Sequence, residues 1–372
     1  ISLDLIPLLI NRINCYENKK FHIDLGNILK DLGKLNEAET SLKKAIEIKP
    51  DFAEAYSNLG NVMKEFGYFD ESINYAQQAI KLNNKLDIAK SNIIEFKGII
   101  CDWSDSKTQN LWLETIGIQG SPINPGILNY YEDDPLNQLT RAKRFFHKNF
   151  YREDKALTTS RNQKIHVGYF SSDFRAHPTM YLIAAILKLH DKSKFNIYLY
   201  SFTPKEDEYT TLAKESGCIF RDIRELNEIE IITLARNDKL DIAIDLMGYI
   251  ENNRISIFSS RVAPIQINYL GYPGTLGADS IDYILSDKII IPKEYEKFYS
   301  EEVIRMPNCY QCNDNKKEIC NEPITRNDFK LPPNGFVFTC FNSNKKITAK
   351  EFDIWMRLLN KVEGSVLWLF NS

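Results

Sequence analysis

The sequence predicts an α-solenoid of helical repeats followed by α/β units that are built on parallel sheets. Short motifs return at a fixed interval before residue 101, whereas apolar strand segments alternate with helical segments from residue 164 onward. The composition, 43% hydrophobic and 26% charged over 372 residues, is that of a globular protein with two or three units. We therefore expect an all-helical part and an α/β part.

The N-terminal repeat has the period of a tetratricopeptide unit. Gly26 returns as Gly60 and Gly33 returns as Gly67, which is the 34-residue interval of these helix-turn-helix repeats. Glycine suits both places, because it allows close packing of helices and a left-handed turn between them. The predicted elements are full repeats over 21–49 and 52–83, the tail of an earlier repeat before residue 21 and a closing helix over 88–100.

The repeat segment, residues 1–100, has two possible roles. It is either a spacer or a concave surface for partner or acceptor polypeptides, since solenoids expose extended concave faces. We favour polypeptide binding. Because a solenoid usually needs at least three repeats, we also expect the array to begin upstream of residue 1.

A bridging segment, residues 101–163, follows the repeats. Its acidic run from Glu132 to Asp134 has two interpretations, a paired-carboxylate or metal site and a solvated loop in which Asp134 caps a helix. We favour the cap, because Asp is common at helix N-caps and in turns. An amphipathic helix is expected over 136–150.

The alternation of strands and helices predicts a Rossmann-like domain over residues 164–330 and the start of a second one over 331–372. Pro332 and Pro333 mark the hinge between them. Because two strands and one helix cannot bury a core, we expect the chain to end inside the second domain. The predicted strands are 166–170, 196–202, 218–222, 241–246, 265–270, 283–286, 335–341 and 365–370, and the predicted helices are 180–190, 209–216, 228–237, 254–260 and one that starts at a capping box of Thr348 and Glu351.

Two loops at carboxyl ends of strands are candidate ligand sites, because open α/β sheets bind ligands there. The first contains Asp173, His177 and Thr179 directly before a helix N-terminus, whose free N–H groups favour anions. The alternative is that Asp173 and Thr179 only cap the helix and His177 is a surface histidine. The second loop, 270–277, has glycines that let the backbone approach a ligand, or it is only a tight turn.

Charge, hydropathy and cysteines exclude several classes of protein. A net charge of −3 offers no basic surface to nucleic acid, and no apolar run reaches the roughly 20 residues of a membrane span. Seven scattered cysteines indicate a reducing, cytoplasmic setting. Cys309, Cys312 and Cys320 have no nearby histidine, so we interpret them as free loop cysteines and expect no metal.

The motifs, in their order along the chain, resemble the protein O-GlcNAc transferases, which are glycosyltransferase family 41 with its SPINDLY branch. The resemblance covers nearly the whole chain. Its carriers are the repeats, CDW at 101–103, HVGYFSSDF at 166–174 with HPT at 177–179, APIQ at 263–266 with LGYPGT at 270–275, DY at 282–283, FNS at 341–343 with KI at 346–347, and SVLWL at 365–369.

The resemblance implies a GT-B architecture, with two Rossmann-like domains facing across a cleft. It implies metal-independent, inverting transfer of N-acetylglucosamine from UDP-GlcNAc to Ser or Thr hydroxyls, with no cofactor. Asp173 and His177 are then implied on the acceptor side and in proton handling, and Lys346 is implied to meet the diphosphate as a compact cation. The substrate-binding positions that it implies are Pro178, Thr179, Leu270, Gly271, Asn342 and Ser343.

The chain departs from the family pattern in places. Gly126 and Ile127 stand where some members carry a histidine, and Ser343 stands where an amide side chain is common. The resemblance implies that the remaining nucleotide-binding loops lie beyond residue 372, so we expect residues 1–372 alone to bind donor poorly and to be inactive.

Two alternative functions stay open. One is O-fucosyl transfer from GDP-fucose, because the missing loops select the donor base. The other is a non-catalytic repeat scaffold. The intact residues Asp173, His177, Thr179 and Lys346 argue against it. A sequence rich in Lys, Asn and Ile indicates a bacterial source.

Overall fold

The computed structural model describes residues 19–152, 157, 162–317, 319 and 321–370. These residues form two compact units. The first, here the repeat unit, contains the described residues up to Ile123, Tyr130–Glu132 and those from Ile324 onward. The second, here the sheet unit, contains Asn124–Asn129 and Asp133–Pro323. The four-segment organisation given above stays a prediction, and the tail of an earlier repeat lies mostly outside the described residues.

Paired helices confirm the tetratricopeptide repeats. Gly33 and Gly67 end the first helix of each pair with φ of +72° and +82°, the left-handed turn that glycine adopts without strain. A Cβ at Gly26 would lie 2.7 Å from the Leu42 side chain, so glycine lets the paired helices touch. The helices are α1 (Lys19–Asp31), α2 (Leu35–Ile48), α3 (Ala53–Glu65), α4 (Phe69–Leu82), α5 (Asp87–Ile99) and α6 (Ser106–Leu113).

The sheet unit contains a parallel seven-stranded sheet with strand order β3-β2-β1-β4-β5-β6-β7. The chain reverses its direction of growth between β1 and β4, and such a switch point opens a crevice at the carboxyl ends of the strands. The elements are α7 (Pro135–Asn149), β1 (Ile165–Ser171), α8 (Pro178–Leu189), β2 (Phe195–Ser201), α9 (Glu208–Lys214), β3 (Ile219–Asp222), α10 (Glu228–Asn237), β4 (Ile242–Asp245), β5 (Ile265–Asn268), β6 (Tyr283–Ser286) and β7 (Glu302–Arg305).

Two apolar clusters cover the two faces of this sheet. Successive residues of a strand point to opposite faces, so Tyr169 joins the cluster with Ile183 and Ile244, whereas Phe170 joins the other cluster. Phe170 stacks on Tyr200 with ring centroids 4.3 Å apart. Burial on both faces explains the continuous apolar runs of β1 and β2, which are typical of a parallel sheet.

The repeat unit also contains a parallel strand pair, β8 (Val337–Cys340) and β9 (Val366–Leu369), joined by α11 (Ala349–Lys361). The predicted capping box at α11 is wrong in one respect. The Thr348 hydroxyl donates to the Glu351 carboxylate and makes no side-chain cap bond to the backbone. Among the described residues, no helix is long and apolar enough to cross a membrane.

Two further differences from the predicted elements have local causes. The predicted helix over 254–260 is a 3-10 helix, Ile255–Ser260, which ends at Arg261 in the left-handed region with φ of +48°. Strand β7 was not predicted, because a four-residue strand at the edge of the sheet is only half-buried and carries charges at both ends.

Candidate active site

The loop after β1 begins at the switch point and is fixed by its own hydroxyls. Asp173 is only 3% exposed, and its backbone N–H donates to Ser171 Oγ at 2.9 Å. The Ser172 hydroxyl donates to Asp173 Oδ1 at 3.3 Å. Further along, the Ala176 N–H donates to Asp207 Oδ2 at 2.6 Å, which ties the loop to the start of α9. The loop is therefore held at both ends.

Asp173 lies between a cation and an imidazole. Its Oδ1 is 3.6 Å from an Arg175 guanidinium nitrogen, and its Oδ2 is 3.3 Å from His177 Nδ1. Arg175 Nε is buried and has no hydrogen-bond partner in the described part of the chain. A buried carboxylate next to a cation and a histidine is the arrangement that orients and tunes an acid or base.

His177 is also the N-cap of α8. Its Nδ1 accepts from the Thr179 N–H at 3.3 Å, and Pro178 occupies the first helical position, where its missing N–H costs nothing. The suggestion that Asp173 or Thr179 caps this helix is therefore wrong. Burial lowers the pKa of His177, Asp173 raises it and Arg175 lowers it, with a net decrease. The imidazole is consequently neutral near pH 7 and able to accept a proton.

The loop after β5 is built for close backbone contact. A Cβ at Gly271 would lie 2.0 Å from the Leu246 carbonyl oxygen, which follows β4. Leu270 is buried with φ of +70°, and it belongs to the same apolar cluster as Phe174. The glycine at 271 is thus required by packing against the backbone after β4.

The loop after β4 was missed at the sequence level. Asp245 is fully buried, and its carboxylate accepts the N–H groups of Met247 and Gly248 at 2.9 Å each. Burial raises the pKa of Asp245 to about 6. The Met247 sulfur in turn accepts from the hydroxyls of Ser171 and Ser172 at 3.3 and 3.6 Å. A single Asp at the end of a buried strand, followed by Leu-Met-Gly, was the only local signal, and it is weak.

The three remaining predicted site residues lie in the repeat unit, after the carboxyl end of β8. Asn342 and Ser343 are exposed, and Ser343 precedes a 3-10 helix, Asn344–Lys346. The Lys346 ammonium lies 5.8 Å from the centre of the Tyr130 ring. The structure therefore places Asp173 and His177 in the loop after β1 and Pro178 and Thr179 in the first turn of α8, whereas Lys346, Asn342 and Ser343 lie in the other unit.

The acidic and cysteine clusters carry no metal site in the part of the chain that is described. Asp134 caps α7, accepting the N–H groups of Leu136 and Asn137 at 3.0 Å each, which confirms the cap. No group of three His, Cys, Asp or Glu side chains among the described residues is arranged to hold a metal ion. Cys309 and Cys312 are free thiols, and Cys320 lies outside the described residues.

Comparisons with known proteins match both the repeats and the α/β part of the chain. The family model of glycosyl transferase family 41 matches residues 138–322, and tetratricopeptide repeat models match 26–67 and 53–86. The chain is 32% identical over 213 residues to the probable UDP-N-acetylglucosamine–peptide N-acetylglucosaminyltransferase SEC of Arabidopsis thaliana, covering 56% of this chain and 22% of that protein. It is 32% identical over 252 residues to the SPINDLY protein of the same plant, which carries the same probable activity in its name, covering 64% of this chain and 27% of that protein.

A solved structure shows the same fold. A mutant of the Thermobaculum terrenum O-GlcNAc transferase superposes with a TM-score of 0.71 at 22% identity, covering 94% of this chain and 68% of that one. The present chain spans only about a quarter of the length of the plant proteins that it matches.

Proposed function

Because the chain belongs to glycosyltransferase family 41, with tetratricopeptide repeats before the family domain, we propose that the protein transfers N-acetylglucosamine from UDP-GlcNAc to Ser or Thr hydroxyls of acceptor polypeptides. The observation that carries the proposal is the buried Asp173 against His177 at the switch point of the sheet. Ligands of open α/β sheets bind at this place. The names of the plant relatives supply the donor and the acceptor class.

The proposed chemistry begins with the attacking hydroxyl. In the reacting tautomer, the proton of His177 lies on Nδ1 and faces Asp173 Oδ2 in place of the Thr179 N–H bond, so the Nε2 lone pair is available to accept the hydroxyl proton. Asp173 then stabilises the imidazolium that forms, in the manner of a carboxylate that orients a catalytic histidine. The lowered pKa of His177 keeps the imidazole unprotonated before the reaction.

The donor side of the proposal rests on the repeat unit and on the second loop. Lys346 supplies the positive charge for the departing diphosphate, which needs a cation or N–H donors as the bond breaks. Asn342 and Ser343 flank it as donor contacts, and Pro178, Thr179, Leu270 and Gly271 line the sugar site. The proposal includes no metal and no cofactor. The free cysteines support a cytoplasmic setting.

The test uses the full-length gene product with a pooled Ser/Thr peptide library and either UDP-GlcNAc or GDP-fucose, followed by peptide mass measurement. An N-acetylhexosamine increment with UDP-GlcNAc is the expected result. A deoxyhexose increment with GDP-fucose would replace the donor and keep the fold and site. No increment with either donor would favour the repeat scaffold.

A further inference from the structure

An aromatic ring contacts the lysine that the proposed donor site uses. The ammonium groups of Lys345 and Lys346 lie 5.3 and 5.8 Å from the centre of the Tyr130 ring. Both distances are within the roughly 6 Å over which the negative face of an aromatic ring attracts a cation. All three residues belong to the repeat unit, so the contact is internal to that unit. Tyr130 comes from the bridging segment, and the proposed reaction has so far given it no role.

The backbone that carries Lys346 is fixed on its inner side. The Cys101 thiol donates to the carbonyl oxygen of Asn344, with 3.8 Å between sulfur and oxygen, and the side chain of Ile347 is buried. These contacts hold the backbone on both sides of the lysine. They do not place its ammonium, because the lysine side chain is a flexible four-carbon stem. The ring of Tyr130 supplies the contact that the end of this stem needs.

The ring of Tyr130 is itself held in one orientation. It meets the ring of the neighbouring Tyr131 edge to face, with ring centroids 6.4 Å apart and an angle of 86° between the planes. Tyr131 is packed against α5, where a Cβ at Gly98 would lie 1.8 Å from the Tyr131 hydroxyl oxygen. Glycine in α5 therefore lets Tyr131 pack closely, and Tyr131 in turn supports the ring that faces the lysine.

An aromatic partner leaves the charge of Lys346 available. In the part of the chain that the structure describes, the Lys346 ammonium forms no ion pair with a carboxylate. A carboxylate would neutralise the lysine, whereas an aromatic ring attracts it through a quadrupole and has no net charge. The full positive charge therefore stays available to an anion. A cation needs this property if it is to stabilise a departing diphosphate.

We propose that Tyr130 is a positioning residue of the reaction, whose ring holds the Lys346 ammonium in place for the diphosphate of the donor. The inference rests on the proposed function, because Lys346 has its role at the diphosphate only there. Tyr130 acts through the lysine alone, so removal of the lysine charge must also remove the effect of the ring.

Substitutions of Tyr130 in the full-length protein separate the aromatic face from the size of the side chain. Tyr130→Leu and Tyr130→Gln remove the face, whereas Tyr130→Phe keeps it and loses only the hydroxyl group. We expect kcat of sugar transfer to fall about three- to thirtyfold in the first two variants, with an unchanged KM for the acceptor peptide, and to stay at the wild-type value in Tyr130→Phe. Because Tyr130 is exposed, all three variants should fold.

A double-mutant cycle with inorganic pyrophosphate tests the coupling without any need for sugar transfer. Binding to the full-length protein is measured by titration calorimetry for the wild type, Tyr130→Leu, Lys346→Gln and the double variant. We expect Tyr130→Leu to weaken binding about three- to thirtyfold when the lysine is present and to have no effect in the Lys346→Gln background. A loss that persists in that background, or no pyrophosphate binding by the wild type, would overturn the proposal.

The two assays distinguish failure of this inference from failure of the proposed function. If the wild type transfers sugar and kcat is the same in Tyr130→Leu and Tyr130→Phe, the function stands and the role of the ring is overturned. If the wild type transfers no sugar but the pyrophosphate cycle gives the expected result, the function is overturned and the ring remains the partner of Lys346 at an anion site.

Discussion

Asp245→Asn tests whether the buried carboxyl after β4 is as costly to ionise as its surroundings indicate. Its pKa rises from 3.8 to about 6 because burial penalises the charge more than the N–H groups of Met247 and Gly248 compensate. This difference corresponds to about 3 kcal/mol in the free energy of unfolding. A carboxyl with a raised pKa contributes stability that is complete below pH 3.8 and is lost as the pH rises through about 6.

The expected result is a difference between two proteins. Relative to Asp245→Asn, the wild type should lose about 3 kcal/mol of local stability between pH 3 and pH 8, because the amide cannot ionise. The four tryptophans, Trp103, Trp112, Trp355 and Trp368, belong to the repeat unit, so their fluorescence does not report on β4.

Hydrogen exchange of peptides that cover β4 measures this local free energy of opening. The exchange is followed by mass spectrometry and corrected for the intrinsic pH dependence of amide exchange. Asp207→Asn, at the N-cap of α9, is a useful contrast, because the pKa of Asp207 is lowered in the folded protein. The contribution of Asp207 to stability should instead be lost as the pH falls, because its carboxylate becomes protonated. A wild-type pH profile parallel to that of Asp245→Asn would refute the reasoning.

Three further predictions concern the proposed reaction and the second loop. His177→Asn keeps an N-cap acceptor for α8 but removes the base, so sugar transfer by the full-length protein should fall about 10²- to 10⁴-fold without loss of folding. The control variant His147→Asn should leave the transfer rate unchanged. Lys346→Gln should lower transfer about 10²-fold or more, with Lys345→Gln as the matched control, and an equal effect of both would assign the charge to the pair. Gly271→Ala should destabilise the sheet unit by several kcal/mol, because the Cβ of the alanine would lie 2.0 Å from a backbone carbonyl oxygen. Hydrogen exchange of the same β4 peptides measures this loss, and a variant as stable as the wild type would contradict the packing argument.

Local sequence signals were sufficient for the repeats and for most of the sheet. The interval from Gly26 to Gly60 and the turn glycines reflect contacts within and between neighbouring helices, and such contacts are local in sequence. The central strands β1, β2 and β4 were predicted because burial on both faces demands apolar runs. The edge strand β7 was not predicted, because a half-buried strand has no continuous apolar run in its sequence.

The site divides in the same way. The loop after β1 was recognisable because its hydroxyls, carboxylate and imidazole follow a strand directly. The contacts of the individual residues in this loop were not recognisable from the sequence. The N-cap of α8 proved to be His177, and the neighbours of Asp173 depend on the folded path of the loop. Asp245 was overlooked because one acidic residue at the end of a strand, with Leu-Met-Gly after it, is only a weak pattern.

The sequence by itself determined the order of the elements, the repeat period and the loop that carries the candidate catalytic groups, because each depends on residues that are neighbours along the chain. Only the tertiary structure decided that Met247 would meet Ser171 and Ser172, that Gly271 would pack on the backbone after β4, and that Tyr131 would lie against Gly98. These contacts join residues that are far apart in sequence. They depend on the strand order and the helix packing, which no local sequence pattern determines.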